Sequence, residues 1–105
     1  TAIWQPAPLF QSYPGRLHGG VIATLLDAAM VHALSARGIA GVTVEMNIRY
    51  ARSVSVADPI EVTGRVESVR HGVYLCQAEL LQAGACPVRA TAKFMVLPTP
   101  PPERR

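Results

Sequence analysis

The chain has 105 residues, which corresponds to one domain, and half of its residues are apolar, enough to form a hydrophobic core. The net charge is only +3 and the ten basic residues are scattered, so the sequence lacks the basic patch that nucleic-acid binding requires. Two cysteines, Cys76 and Cys86, are too few for a disulfide framework, and without paired histidines they do not indicate a metal site.

The longest apolar stretch of the chain indicates whether the protein crosses a membrane. It runs from Gly19 to Ala36 and is interrupted by Asp27 and His32, which makes it a poor membrane span. The first residues do not have the pattern of a secretory signal. We therefore expect a cytoplasmic protein that does not associate with membranes.

The two ends of the chain are rich in proline. Residues 1–17 contain Pro6, Pro8 and Pro14, and because proline fixes φ and lacks an amide donor, they are predicted to hold at most a short edge strand. Four prolines within residues 98–105 predict a solvated tail. A single domain is therefore predicted over residues 1–97.

A helix is predicted from Val21 to about Gly38, since Ala and Leu dominate this segment. His18-Gly19-Gly20 lies immediately before it, and Gly38 is placed to end it. The segment is apolar on every side, so we expect the helix to be buried all round.

Four strands are predicted after the helix, at residues 42–50, 60–69, 73–81 and 88–97, with turns at 71–72 and 82–85. The first strand alternates, and the face expected to be buried carries Val42, Val44, Met46, Ile48 and Tyr50. One helix followed by four long strands predicts the α+β class, with an antiparallel sheet curled around the helix.

The glycine pair at the start of the helix is the first candidate for chemistry. The first turn of a helix has N–H groups without internal partners, and the helix dipole adds partial positive charge there. Glycine lets another group approach closely, so an oxygen that gains negative charge would be stabilised at Gly19 and Gly20. The alternative is a tight, closely packed turn. His18 could position a substrate or orient this turn, or it could be a capping or packing residue.

Asp27 is the second candidate, because it is the only acidic residue before Glu45 and lies inside the apolar helix. The positions three and four residues away hold no basic residue, and burying an unpaired carboxylate is costly. A carboxylate in such surroundings suits a general base. The alternative is a structural residue that Thr24 or a backbone donor satisfies, or one that faces solvent.

The spacing of Gly20 and Asp27 indicates that an active site using both would be built from more than one chain. Gly20 and Asp27 are seven residues apart, so a helix places them on nearly the same face and about 10 Å apart along its axis. An attacking water must reach both the base and the carbonyl carbon, which is difficult over that separation. If both groups act in one reaction, we expect the site to span a two-fold interface between two copies.

The segment from Gly15 to Asp27, GRLHGGVIATLLD, resembles the signature of hotdog-fold acyl-CoA thioesterases of the phenylacetate-pathway (PaaI-like) type. Residues 42–50 resemble that family's second long strand. The resemblance implies the hotdog fold, in which the sheet wraps around one central helix, and a homodimer with a continuous sheet or a homotetramer of two such dimers. It implies a hydrolase that releases a free acid and CoA from an acyl-CoA, without a cofactor or metal.

The same resemblance implies roles for individual residues. Asp27 would activate water or attack the thioester carbonyl directly, and the Gly19 N–H would bind the thioester oxygen. His18 would help to place this region. Thr43 lies where the family often has a Ser or Thr that assists the nucleophile.

Substrate-binding positions are implied as well. Some relatives have an amide side chain six positions before the histidine; here that position is Ser12, with Gln11 beside it, and either could contact the substrate carbonyl. The CoA nucleotide would run along the outer ends of the strands, near Tyr50, Arg52, Ser53, Ser68, Val69, Arg70 and His71.

Two other functions remain open. One is a hotdog-type dehydratase or hydratase of acyl thioesters, for which His18 and Asp27 would form a histidine–acid pair. The other is a non-catalytic protein that binds acyl-CoA. The sequence does not distinguish the acyl group, or an aspartate base from an aspartate nucleophile.

Overall fold

The structure is a computed structural model that describes residues 2–4, 11–13 and 16–96, with side chains from Leu17 onward. The predicted tail, residues 98–105, lies outside the described residues. The elements in chain order are β1 (Ala2–Trp4), β2 (Gln11–Tyr13), β3 (Arg16–Leu17), α1 (Gly19–Ser35), β4 (Gly41–Tyr50), β5 (Ile60–Arg70), β6 (Val73–Gln82) and β7 (Ala85–Val96).

One antiparallel sheet, in the order β1-β5-β6-β7-β4, forms the body of the fold, and β2 pairs separately with β3. The two tight hairpins have positive φ at both central residues, at His71-Gly72 and Ala83-Gly84, which matches the twist of the flanking strands. Helix α1 packs on one face of the sheet, mainly against β5. The predicted α+β class is therefore confirmed. Within the described ranges, no helix has the length and apolar character to cross a membrane.

Helix α1 ends at Ser35, three residues before the predicted end at about Gly38, and Gly38 lies in the turn that follows. Gly38 has a φ of +75°, and Ile39 N–H donates to the Leu34 carbonyl at 3.0 Å, which closes the last turn. The left-handed conformation is accessible to glycine without a steric penalty. Gly38 therefore closes the turn that terminates the helix after Ser35.

The helix buries one stripe of side chains against the sheet. Side chains four residues apart form this stripe, and they are Ile22, Leu26, Met30 and Leu34. Thr24, Ala28 and His32 lie on another side and are exposed. The prediction of burial all round is wrong for the single chain, because one sheet covers one side of a helix and apolar composition alone does not guarantee burial.

Strand β4 contains a bulge that resets its pairing with β7. Thr43 pairs with Phe94, and two residues later Glu45 pairs with Lys93, so Val44 is the extra residue. Since Phe94 is fully buried in the core, its cross-strand partner Thr43 is on the face toward the helix.

The bulge changes which residues of β4 face the core. Thr43, Met46 and Ile48 share the inner face and are half-buried. Val42 and Val44 are 44% and 58% exposed. The prediction that these two valines lie on the buried face is wrong, because a strict alternation does not reveal an inserted residue. Tyr50, the last residue of the same predicted face, is also exposed, at 48%.

Candidate active site

Asp27 and Thr43 meet at the middle of the helix. Thr43 Oγ1 donates a hydrogen bond of 2.7 Å to Asp27 Oδ1, and both side chains are half-buried. The two residues are 16 positions apart, so the helix and β4 bring them together only in the folded chain. The hydroxyl fixes one carboxylate oxygen and leaves the other for a second partner. The bulge at Val44 makes this contact possible, since it turns Thr43 inward.

The start of the helix is capped by the histidine that precedes it. His18 has an extended backbone, with φ −63° and ψ 134°, and its Nδ1 accepts the Gly20 N–H at 2.9 Å. Its carbonyl accepts the N–H groups of Val21 and Ile22 at 3.1 and 3.2 Å. The capping role that the sequence left open is therefore present, and the Gly20 N–H is occupied within the chain.

The Gly19 N–H has a different environment. In the described part of the chain it has no hydrogen-bond acceptor, whereas the three N–H groups that follow it are all bonded to His18. An unbonded N–H at a helix N-terminus has partial positive charge around it and suits an anionic oxygen. This is the donor that the sequence suggested for the thioester oxygen.

Tyr50 covers the same turn from the end of β4. Its hydroxyl donates a hydrogen bond of 2.9 Å to the Gly19 carbonyl. Partial burial raises the pKa of the Tyr50 hydroxyl above its ordinary value of 10.0, which further favours the protonated, hydrogen-bond-donating form. Sequence reasoning missed this contact because the two residues are 31 positions apart and no local pattern links them.

Asp27 and the Gly19 N–H lie far apart within one chain. Both belong to α1, eight residues from each other, which corresponds to about 12 Å along the axis. The separation expected from the sequence is therefore present. Strand β4 is an edge strand of the sheet, and among the described residues only β7 pairs with it. Its outer edge thus has backbone groups available for another strand.

The residues expected near CoA fall into two groups at opposite ends of the sheet. Arg52 and Ser53 follow β4, whereas Ser68–His71 lie where β5 turns into β6. The β5 end is level with Val42 at the start of β4, because Arg70 pairs with Val73, Val73 with Met95, and Met95 with Val42. One chain therefore does not bring the two groups together.

The remaining site predictions concern Gln11, Ser12 and metals. Gln11 and Ser12 belong to β2, but their side chains lie outside the described residues. Among the residues that the structure describes, no three histidine, cysteine or acidic side chains are grouped closely enough to hold a metal ion.

Comparison with known proteins gives a family for this architecture. The model of the thioesterase superfamily matches residues 14–85. Acyl-coenzyme A thioesterase 13 of the mouse (Mus musculus) is 41% identical over 54 residues, which are 50% of this chain and 39% of that protein. The chain therefore spans less than half the length of this curated relative.

Solved structures share the fold. A hypothetical thioesterase of Streptococcus pneumoniae TIGR4, solved with coenzyme A, has a TM-score of 0.85 and 21% identity, over 90% of this chain and 75% of that one. It was also solved as alanine variants of a threonine and an aspartate that are 16 positions apart. A variant of the phenylacetic acid degradation protein PaaI of Thermus thermophilus has a TM-score of 0.82 and 19% identity, over 90% of this chain and 82% of that one.

Proposed function

Since the chain belongs to the thioesterase superfamily and has its PaaI-like hotdog fold, we propose that it hydrolyses acyl-CoA thioesters to a free acid and CoA. The observation that carries this proposal is the 2.7 Å hydrogen bond from Thr43 to Asp27. It orients a half-buried carboxylate on an apolar helix, which is the arrangement that a general base or a carboxylate nucleophile needs. The 16-residue spacing of the aspartate and threonine altered in the pneumococcal protein supports the same pair.

The chemistry follows from these groups in one of two ways. As a base, Asp27 takes a proton from water while the water oxygen attacks the thioester carbonyl carbon; the C–S bond then breaks, and the proton passes to the CoA thiolate. As a nucleophile, the Asp27 carboxylate attacks that carbon and expels the thiolate, and water hydrolyses the resulting anhydride. In both cases the carbonyl oxygen gains negative charge, which the Gly19 N–H stabilises.

The site requires two copies of the chain. The separation of about 12 Å between Asp27 and Gly19 exceeds the reach of one thioester group. We propose a homodimer in which the β4 edges of two copies pair and Asp27 of each copy faces Gly19 of the other, alone or as half of a homotetramer. β4 is a long edge strand that itself contains the exposed apolar residues Val42 and Val44, and such an edge favours pairing with another strand.

The same dimer accounts for the two separated groups of CoA residues. Antiparallel pairing of the β4 strands places the Ser68–His71 end of one copy at the same end of the joint sheet as Arg52 and Ser53 of the other. Arg52 and Arg70 offer guanidinium groups to the CoA phosphates. The pneumococcal neighbour solved with coenzyme A supports CoA as the partner. We expect this chemistry in the cytoplasm.

A free-thiol assay over a panel of acyl-CoA substrates tests the proposal. Asp27→Asn keeps the shape and removes the base, so kcat should fall by about a hundredfold or more. The matched control is Asp58→Asn, an exposed aspartate in the loop after β4, which should keep wild-type turnover. Wild-type rates in the Asp27 variant would refute its role. Hydration of a crotonyl substrate without thiol release would indicate the hydratase, and tight binding without turnover the binding protein.

Mixing two inactive variants tests the shared site. Gly19→Pro removes the N–H but fits the first helical position, and the extended His18 backbone tolerates a following proline. In a heterodimer of Gly19→Pro with Asp27→Asn, one of the two sites has both an intact Asp27 and an intact Gly19. After random exchange of subunits, about a quarter of wild-type activity should return. No recovery, in a mixture shown to contain heterodimers, would place the site within one chain.

A further inference from the structure

The peptide unit between Gly19 and Gly20 is held from both sides. Its carbonyl accepts the Tyr50 hydroxyl at 2.9 Å, and its N–H donates to His18 Nδ1 at 2.9 Å. These contacts come from different parts of the chain, one from the end of β4 and the other from the residue before the helix. Two side chains therefore restrain the orientation of this peptide plane, in addition to the hydrogen bonding of the helix itself.

Two adjacent glycines make this peptide easier to turn than other residues would, even within the first turn of α1. Glycine has no Cβ to restrict φ and ψ, and the first turn of a helix frays more easily than its interior. The Gly19 N–H belongs to the preceding peptide, so its direction relative to the helix depends on the φ and ψ angles of Gly19. Holding the next peptide plane restricts those angles and so restricts where the N–H points.

Tyr50 also ties this turn to the strand that orients the carboxylate. Thr43, near the start of β4, bonds Asp27, and Tyr50, at the end of β4, bonds Gly19. One strand thus contacts α1 at both proposed catalytic positions. In the described residues, the Tyr50 hydroxyl bonds only the Gly19 carbonyl, so its polar group is directed at the backbone of the turn.

We propose that Tyr50 is a positioning residue that holds the Gly19–Gly20 peptide so that the Gly19 N–H points at the thioester oxygen. This inference rests on the proposed thioesterase function. It differs from a role in CoA contact, the role that the family resemblance implied for this residue. A positioning residue affects kcat, because the oxyanion forms only in the reaction, whereas a CoA contact affects KM.

The test compares Tyr50→Phe, which removes only the hydroxyl, with wild type. The matched control is Tyr74→Phe, because Tyr74 is a half-buried tyrosine on β6 with no hydrogen bond from its hydroxyl to any described residue. Steady-state kinetics with acyl-CoA is combined with amide hydrogen exchange at Gly19 and Gly20. We expect Tyr50→Phe to lower kcat about tenfold with KM within about twofold, and to speed exchange at Gly20. Tyr74→Phe should match wild type in both.

Three results would overturn the proposal: a wild-type kcat in Tyr50→Phe, a raised KM with unchanged kcat, or an equal loss in Tyr74→Phe. A wild-type protein without turnover would instead refute the proposed function. In that case amide hydrogen exchange at Gly20 alone tests the positioning role of Tyr50. Unchanged exchange in Tyr50→Phe would overturn that role, and faster exchange would support it.

Discussion

Gly64 marks the closest approach between the sheet and the helix, and adding one methyl group there should destabilise the fold. A Cβ at this position would overlap the Ala29 carbonyl oxygen and lie 2.6 Å from the Ala29 carbonyl carbon and 3.0 Å from Met30 N. All three atoms are helix backbone, so no side-chain rotation relieves the contact. Bringing the Ala29 carbonyl carbon alone to an ordinary 3.4 Å contact requires the helix or β5 to retreat by about 0.8 Å, and the overlapping oxygen requires more.

The cost of Gly64→Ala follows from that displacement. Overpacking a core costs about 1–3 kcal/mol, and a rigid backbone neighbour places this site at the upper end. Reduced freedom of the unfolded chain returns about 0.4–1 kcal/mol. The net loss should be about 2 kcal/mol, which lowers Tm by roughly 10 °C in a domain of this size.

Thermal and urea unfolding measure the effect, and Gly41→Ala is the matched control. A Cβ at Gly41 would lie 2.8 Å from Leu34 Cδ1, a terminal methyl group that can rotate away. That variant should lose less than about 1 kcal/mol. If Gly64→Ala were as stable as wild type, or no less stable than Gly41→Ala, the close packing of β5 on the helix backbone would be wrong.

Two further predictions concern a loop and a buried thiol. The Gln82 side chain accepts the Ser55 N–H at 3.0 Å and donates to the Ser55 and Asp58 carbonyls at 2.8 and 3.0 Å. Gln82→Ala should therefore lower the free energy of unfolding in urea by about 1–3 kcal/mol and speed amide hydrogen exchange at Ser55. Unchanged exchange at Ser55 would contradict this prediction. Cys76 is fully buried, and this burial raises the pKa of its thiol above 9.0, an effect that Arg37 only partly offsets. As the pH rises, the thiol of the unfolded chain therefore ionises at a lower pH than the buried thiol of the folded chain. The free energy of unfolding should then fall by up to about 1.4 kcal/mol per pH unit above pH 9. Cys76→Ala should flatten this slope between pH 8 and 10. An identical slope in the variant would show that another group is responsible.

Local signals were sufficient for the helix and the four long strands. They were not sufficient for β1, β2 and β3, because the sequence predicted at most one short edge strand in residues 1–17. Ala-rich and Leu-rich composition predicted α1, Gly38 predicted its end, and the glycines in the hairpins predicted two turns, because each depends on the conformational preferences of a few neighbouring residues. The isolation of Asp27 on an apolar helix pointed to it without any tertiary information. Helix geometry then placed Gly20 and Asp27 too far apart for one chain, which the structure reproduces because both are on α1.

The side-chain contacts of the site and the burial of the helix depend on pairing between segments far apart in the chain. The bulge at Val44 arises from the register between β4 and β7, and only that register turns Thr43 toward Asp27. The contact between Tyr50 and Gly19 depends on where the end of β4 meets the start of α1. Burial of a single stripe of the helix likewise depends on how much of it the sheet covers.

The sequence by itself determined the helix, the four long strands and the turns between them, and which carboxylate stands out, since these follow from backbone preferences over short stretches. Only the tertiary structure decided that Thr43 faces Asp27, that Tyr50 reaches the Gly19 carbonyl and that Gly64 lies against the helix backbone. Each of these contacts joins residues far apart in the chain, and its geometry is set by sheet register and helix docking rather than by local preference.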